Sequence, residues 1–275
     1  MPKLSIITIN YNNLEGLKRT VESVVNQTWK EFEYIVIDGG STDGSAAYIE
    51  SQSEHFDYWV SEKDTGIYNA MNKGIKVATG EYLLFLNSGD ELIDIEALNK
   101  NHFHLEEMDL IYFDINVISD TTSFIKKYPK FLSFTFLYDD TIHHQSTFIR
   151  KSLFNKIGYY DEKLKIVSDW KFFIVALIKE NASYKYINAT FSNYYLDGIS
   201  SRVDYTEERK QVLTGFFSGF LLEYEELLEK RDLINKNRYK MLNEIEKSKI
   251  GAKIVSAFFR LYIFLFSKKK IKDII

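Results

Sequence analysis

An uninterrupted apolar run, Tyr82-Leu83-Leu84-Phe85-Leu86, ends abruptly in Asn87-Ser88-Gly89-Asp90-Glu91. Strand-forming residues without polar alternation belong to a central strand covered on both faces. In open α/β sheets, ligands bind beyond the carboxyl ends of such strands. The small and acidic groups at 87–91 therefore stand where a binding site is expected. A plain strand-ending turn accounts for the same residues, since Asn, Ser, Gly and Asp are common turn formers.

The segments before this run set its context. Residues 4–9 and 34–37 read as buried strands, and 58–61 as a short third strand. Between them, Leu14, Leu17, Val21, Val24 and Val25 have helical spacing over about 14–27, with Asn12 or Asn13 as the cap. A second helix is expected over 45–52, and 66–78 reads as a loop leading into a helix. This alternation predicts a parallel sheet with helices on both faces over residues 1–98. The middle is less regular. Residues 109–117 and 124–128 read as strands, the second antiparallel, and 143–149 has strand character. A helix over 169–179 and an extended segment over 184–195 follow. Residues 205–247 are strongly helical, with Val212, Phe216, Phe220 and Leu227 on one face.

Bulk composition narrows the classes. The 275 residues suffice for one large domain, or one domain plus a small appendage. A net charge of −4 argues against nucleic acid as a partner. The absence of cysteine rules out disulfides and thiol chemistry and fits a reducing compartment. The N-terminus lacks the pattern of a signal peptide, and no apolar stretch reaches the length of a spanning helix. Near the end, 254–266 is apolar except for Ser256 and Arg260, and Lys268-Lys269-Lys270 follows. Thirteen helical residues measure roughly 20 Å, against about 30 Å of hydrocarbon. Such a helix suits a membrane surface, with its lysines on anionic lipid. Docking on the protein's own core or on a dimer partner is the competing reading.

Four segments in order carry a resemblance. They are Ile6-Ile7-Thr8-Ile9-Asn10-Tyr11-Asn12, Glu33 to Gly44 (EYIVIDGGSTDG), Glu81 to Asp90 (EYLLFLNSGD), and Gly158-Tyr159-Tyr160-Asp161-Glu162 with Ser168-Asp169-Trp170. Together they resemble the bacterial family 2 glycosyltransferases, over about residues 3–200. The resemblance implies a GT-A fold (α/β, a mostly parallel central sheet flanked by helices) and inverting transfer of a sugar from a nucleotide-diphosphate donor to an acceptor hydroxyl. It divides the chain into a transferase domain at 1–200, with a nucleotide-sugar half at 1–98 and an acceptor half at 99–200. A helical extension covers 201–275. The acceptor class is a lipid-linked or growing surface-polysaccharide glycan, made at the cytoplasmic face of the cell membrane.

The resemblance also implies site residues. Asn10, Tyr11 and Asp38 hold the nucleotide base and ribose, and Asp64 lies in a donor-binding loop with Glu62 and Gly66. An aromatic ring can stack on a base, and a carboxylate can accept a base N–H or a ribose hydroxyl. A core tyrosine and a helix-capping aspartate are the plain alternatives. The acidic motif departs from the family's common Asp-x-Asp-Asp, since only Asp90 stands where the third acid falls. One carboxylate with phosphate oxygens and water still suits Mg²⁺ or Mn²⁺, and Asn87 offers an amide oxygen. Asp169 is the expected base, removing the acceptor proton as attack proceeds; stabilising a helix N-terminus is its plain alternative. His143, His144 and Arg202 are candidates for acceptor or phosphate contacts. Adjacent histidines on a strand point oppositely, so at most one of the pair faces the site.

Two other classes compete. A sugar nucleotidyltransferase needs a basic loop for a nucleoside triphosphate, and Asn10–Gly16 has no Lys or Arg. A non-catalytic sugar-nucleotide-binding scaffold is supported by the missing acids at 87 and 89. Asp90 and Asp169 argue against it.

Overall fold

A computed structural model of the protein describes residues 2–119, 121–196 and 203–266. Asp197 to Arg202, and with them the candidate Arg202, lie outside the described residues, as do Lys268 to Lys270. The chain divides into two compact units, Met1–Val212 and Leu213–Ile275.

The first unit is built on a single sheet. Its first half contains β1 (Leu4–Asn10), β2 (Phe32–Asp38), β3 (Tyr58–Ser61) and β4 (Tyr82–Phe85). These run parallel in the order β3-β2-β1-β4. The helices between them are α1 (Leu14–Val25), α2 (Ser45–Ser51) and α3 (Ile67–Val77). Every residue of β1 and β4 is buried, which explains their lack of polar alternation. Alternate residues serve opposite faces. Leu4, Ile6, Val36 and Leu84 share a core with Leu17, Val21 and Val24 of α1. Ile7 faces α3, where a Cβ on Gly74 would come within 2.5 Å of the Ile7 Cγ2. A larger residue at 74 would push α3 off the sheet.

The second half of the sheet is mixed. It contains β5 (Glu91–Leu92), β6 (Leu110–Ile118), β7 (Ser123–Lys126), β8 (Thr147–Arg150) and β9 (Tyr184–Tyr195). Beyond β4 the order continues β8-β6-β9-β5, and β7 pairs with β6. β8 is antiparallel to both β4 and β6, whereas β9 is parallel to β6. Three helices complete this unit: α4 (Phe134–Asp139), α5 (Lys151–Ile157) and α6 (Ser168–Ile174).

Several elements differ from the sequence reading. The strand expected over 143–149 is confined to 147–150, because Ser146 N–H bonds back to the His143 carbonyl and closes a 3₁₀ turn over His144–Ser146. The helix expected over 169–179 ends as α at Ile174 and continues as a π turn over Val175–Lys179. The Glu180 N–H bonds to the Val175 carbonyl five residues back, a wider turn that helical periodicity does not report.

The helices that follow are α7 (Thr206–Asn235), α8 (Asn237–Glu246) and α9 (Lys249–Phe266), with the boundary between units falling within α7. α7 bends at Phe217, whose φ of −131° leaves the helical range. Ser248 caps α9 by accepting from the Gly251 N–H at 2.8 Å. Ile250, Ile254, Phe258, Phe264 and Phe266 of α9 are exposed. Among the described residues, no helix is long and apolar enough to cross a membrane.

Candidate active site

The carboxyl ends of β1 and β4 open into a cavity of about 570 Å³. Parallel register sets Asn10 beside Asp38. Beyond β1 the chain turns through Asn12, which takes a left-handed φ of 47°. Asn13 then caps α1 through Gly16 N–H, and its amide also donates to the Ser88 carbonyl at 3.0 Å. One residue thus starts a helix and ties it to the β4 turn. That turn is pinned further by α1. Thr20 Oγ1 donates to the Asp90 carbonyl at 2.6 Å and accepts from Gly89 N–H at 3.0 Å. Arg19 Nη2 donates to the Gly89 carbonyl at 2.9 Å. Gly89 has a φ of 112°, a conformation that strains any residue with a Cβ.

Seven of the residues singled out from sequence line this cavity: Asn10, Tyr11, Asp64, Asn87, Asp90, His144 and Asp169. Tyr11 is 66% exposed, so it is no core tyrosine and its ring is open to a stacking partner. Gly39 lets the nearby groups approach. A Cβ there would lie 2.4 Å from Asp64 Oδ2 and 3.2 Å from the Tyr11 ring. Gly39→Val is therefore expected to displace both side chains and weaken nucleotide binding about tenfold, the scale of one lost stacking contact, with little change in melting temperature. Calorimetric titration with a nucleoside diphosphate checks this.

Asp38 and His143 are not lining residues. Asp38 is fully buried, with Oδ1 accepting from Asn10 Nδ2 and Ser41 Oγ, and Oδ2 from Ser61 Oγ and the Ser41 N–H. Burial pushes its carboxyl up, but the Ser41, Ser61 and Asn10 hydrogen bonds outweigh this and hold it below the ordinary value. The structure thus sets Asp38 behind Asn10 as an anchor of the β1 and β2 ends. His143 is buried against Tyr128, its Nδ1 2.5 Å from the hydroxyl. Burial lowers its pKa to about 3, so it stays neutral. Only His144 of the pair faces the cavity, because the 3₁₀ turn rotates it there.

Asp169 opens α6 and retains 19% side-chain exposure. Its Oδ2 lies 3.0 Å from His144 Nδ1, and its Oδ1 accepts from the Tyr68 hydroxyl at 2.9 Å. Burial pushes the carboxyl up. The hydrogen bonds from His144, the Tyr68 hydroxyl and the Trp170 N–H overcome this, leaving the pKa below its usual value. Tyr68 is held well above its own usual value, by burial first and then by the Asp169 charge, so it remains a donor. The segment before α6 is clamped by α3. Asn72 exchanges bonds with the Tyr160 backbone, and Asn69 and Asn72 both donate to the Glu162 carboxylate. Glu62 pairs with Lys73 at 2.7 Å instead of entering the cavity.

Another lining group escapes sequence reasoning: Tyr68 stands in the 66–78 segment, read as a loop leading into a helix, and no spacing signal marks it. Four buried side-chain oxygens on the lining residues have no hydrogen-bond partner among the described residues: Asn10 Oδ1, Asn87 Oδ1, Ser88 Oγ and Gln145 Oε1. Buried polar atoms are ordinarily paired, so these mark positions for a ligand rich in hydroxyls or for a hard cation. Among the described residues no cluster of three or more His, Asp or Glu stands ready for a metal. The oxygens of Asp90 and Asn87 fit a hard cation that completes its shell from phosphate and water.

The cavity lies at the carboxyl ends of parallel strands, the place where ligands bind in open α/β sheets, and comparison with known proteins gives the family. Residues 5–165 match the model for Glycosyl transferase family 2, and the chain belongs to that family. It is 36% identical over 185 residues to an uncharacterized glycosyltransferase of Mycobacterium tuberculosis, covering 64% of this chain and 70% of that one. It is 31% identical over 199 residues to a PGL/p-HBAD biosynthesis glycosyltransferase of Mycobacterium bovis, covering 70% and 77%. The fold is GT-A. S. aureus TarS 1–349 in complex with UDP-GlcNAc superposes with a TM-score of 0.63 at 19% identity, covering 96% of this chain and 73% of that one. The mannosyltransferase PcManGT of Pyrobaculum calidifontis, in complex with GDP-Man and Mn²⁺, superposes with a TM-score of 0.56 at 12% identity, covering 98% and 88%.

Proposed function

We propose that this glycosyltransferase inverts the anomeric centre as it moves a sugar from a nucleoside-diphosphate donor to an acceptor hydroxyl. The acceptor is a surface-polysaccharide or lipid-linked glycan. The observation that carries the reading is the placement of Asp169 in the same cavity as Tyr11, Asp64 and Asp90. Tyr11 and Asp64 receive the base and ribose, with Asn10 beside them on its Asp38 anchor. Asp90 and the Asn87 amide oxygen would hold Mg²⁺ or Mn²⁺. Such a cation, when bound, neutralises charge on the departing diphosphate. The lining supports this need, since Asp64, Asp90 and Asp169 face a single Lys or Arg among the described residues, Lys165.

In the transfer step the acceptor oxygen attacks the anomeric carbon opposite the leaving group. Its proton passes to an Asp169 carboxylate oxygen. The bond from the anomeric carbon to the phosphate oxygen breaks, and its electron pair leaves with the nucleoside diphosphate. Tyr68 and His144 keep Asp169 ionised and oriented. Relatives and neighbours support the donor class: one solved neighbour holds UDP-GlcNAc and another GDP-Man. A turnover assay for released nucleoside diphosphate, followed by NMR of the product's anomeric coupling, tests the reading. Inversion is expected, and retention would refute a single displacement.

The protein is further proposed to act on the inner face of the cell membrane through α9. That helix exposes Ile250, Ile254, Phe258 and Phe264 and carries Lys249, Lys253 and Arg260 with no acid. The sequence continues with Lys268-Lys269-Lys270. This combination suits an anionic lipid interface. Truncation after Lys249 is expected to release the protein from phosphatidylglycerol liposomes in a flotation assay. Equal flotation of the truncated chain would remove α9 as the anchor.

A further inference from the structure

We propose that His144 is a positioning residue that joins the base to the β4 turn, holding Asp169 as an acceptor through one ring nitrogen and orienting the Asn87 amide through the other. The inference rests on the reading of Asp169 as base and assigns its support.

The geometry is a chain of three groups from separate elements. His144 Nδ1 lies 3.0 Å from Asp169 Oδ2, and His144 Nε2 lies 3.2 Å from Asn87 Nδ2. An ionised carboxylate only accepts, so Nδ1 carries the proton of that bond. The Asn87 amide nitrogen faces Nε2, and an amide NH₂ only donates, so Nε2 is the acceptor of that contact. Asn87 Oδ1 is left over. It is buried, has no partner among the described residues and belongs to a lining residue. The tautomer that serves Asp169 therefore also turns an acceptor oxygen toward the donor, suited to a sugar hydroxyl or a hard cation. The ring has little freedom to leave this arrangement. Its side chain is 10% exposed, and it meets the Phe85 ring edge-on at 6.4 Å and 89°. The other titratable groups that face Asp169 or feel its charge are Tyr68 on α3, Tyr160 before α6, His143 beside His144, and Arg209 on α7.

Amide replacements separate the two halves of the role. In His144→Asn the amide nitrogen sits near the place of Nδ1 and nothing reaches Asn87. In His144→Gln the amide sits near the place of Nε2 and Asp169 loses its partner. For His144→Asn, donor KM is expected to rise about tenfold while the acid limb of the pH–rate profile stays in place. For His144→Gln, kcat is expected to fall about tenfold or more, the size of one charge-assisted hydrogen bond. Its acid limb should move to higher pH, since burial of Asp169 is then less opposed, and donor KM should change little. His144→Ala should show both defects. Identical losses in the Asn and Gln variants, or unshifted profiles in both, would reduce His144 to a packing residue and overturn the inference. Asp169→Asn run alongside keeps the two claims apart. An inactive Asp169→Asn with indistinguishable His144 variants defeats only the relay, whereas an active Asp169→Asn defeats the reading of the base itself.

Discussion

Asp169→Asn is expected to lower kcat by about 10²–10⁴-fold, the usual contribution of a positioned general base, while donor affinity changes less than about threefold. The substitution keeps size and shape, removes the charge and the ability to accept a proton, and exchanges the oxygen that faces His144 for an amide nitrogen. Tyr68 can still donate to the amide oxygen, so the α6 end should hold its position. The pH dependence follows from the same contacts. The base works when ionised, and its pKa lies below the ordinary carboxylate value because His144, Tyr68 and the Trp170 N–H outweigh burial. The acid limb set by this group should therefore lie below the ordinary carboxylate range. A steep loss near pH 6 in an otherwise folded protein would assign the limb to another group. Stopped-flow or coupled measurement of nucleoside diphosphate release provides kcat, and titration calorimetry provides the affinity.

Asp90→Ala is expected to weaken donor binding in Mn²⁺ by about 10–100-fold, and to leave the weak binding measured in EDTA nearly unchanged. The argument is electrostatic. A diphosphate entering a cavity lined by three carboxylates and one lysine needs a cation to accompany it. Asp90 is 6% exposed at the end of the β4 turn. The turn itself should survive the change, because Thr20, Arg19 and Asn13 hold it through the carbonyls of Asp90, Gly89 and Ser88. An equal loss with and without metal would indicate a collapsed turn instead of a lost ligand.

The parallel half of the sheet is legible in sequence for a simple reason. β1 and β4 are buried on both faces, so β4 reads as an unbroken apolar run and β1 as an apolar run carrying only the small polar residues Ser5 and Thr8, and each run stops near the end of its strand. The polar groups just beyond these stops, Asn10 and Asn87 to Asp90, therefore fall in one cavity. The mixed half is less legible. A 3₁₀ turn and a strand share the segment 143–150, and only the bond from Ser146 to His143 separates them. Pairings across long sequence intervals are not legible at all. Asp169 meets Tyr68 and His144, and Thr20 meets the Asp90 carbonyl, through contacts that no local pattern encodes. Asp38 shows the same limit from the other side. Its place at a strand end looks like that of a ligand contact, yet two serines and Asn10 occupy its carboxylate.

Thermal stabilisation of the full chain by a panel of UDP-, GDP- and dTDP-sugars, with and without Mn²⁺, tests the central claim most directly. A shift confined to one nucleotide class and dependent on Mn²⁺ is the predicted result, because the base site selects the nucleotide and Asp90 needs the metal to hold its diphosphate. Equal shifts for all donors without metal, or no shift for any of them, would contradict a metal-assisted sugar-nucleotide site in this cavity.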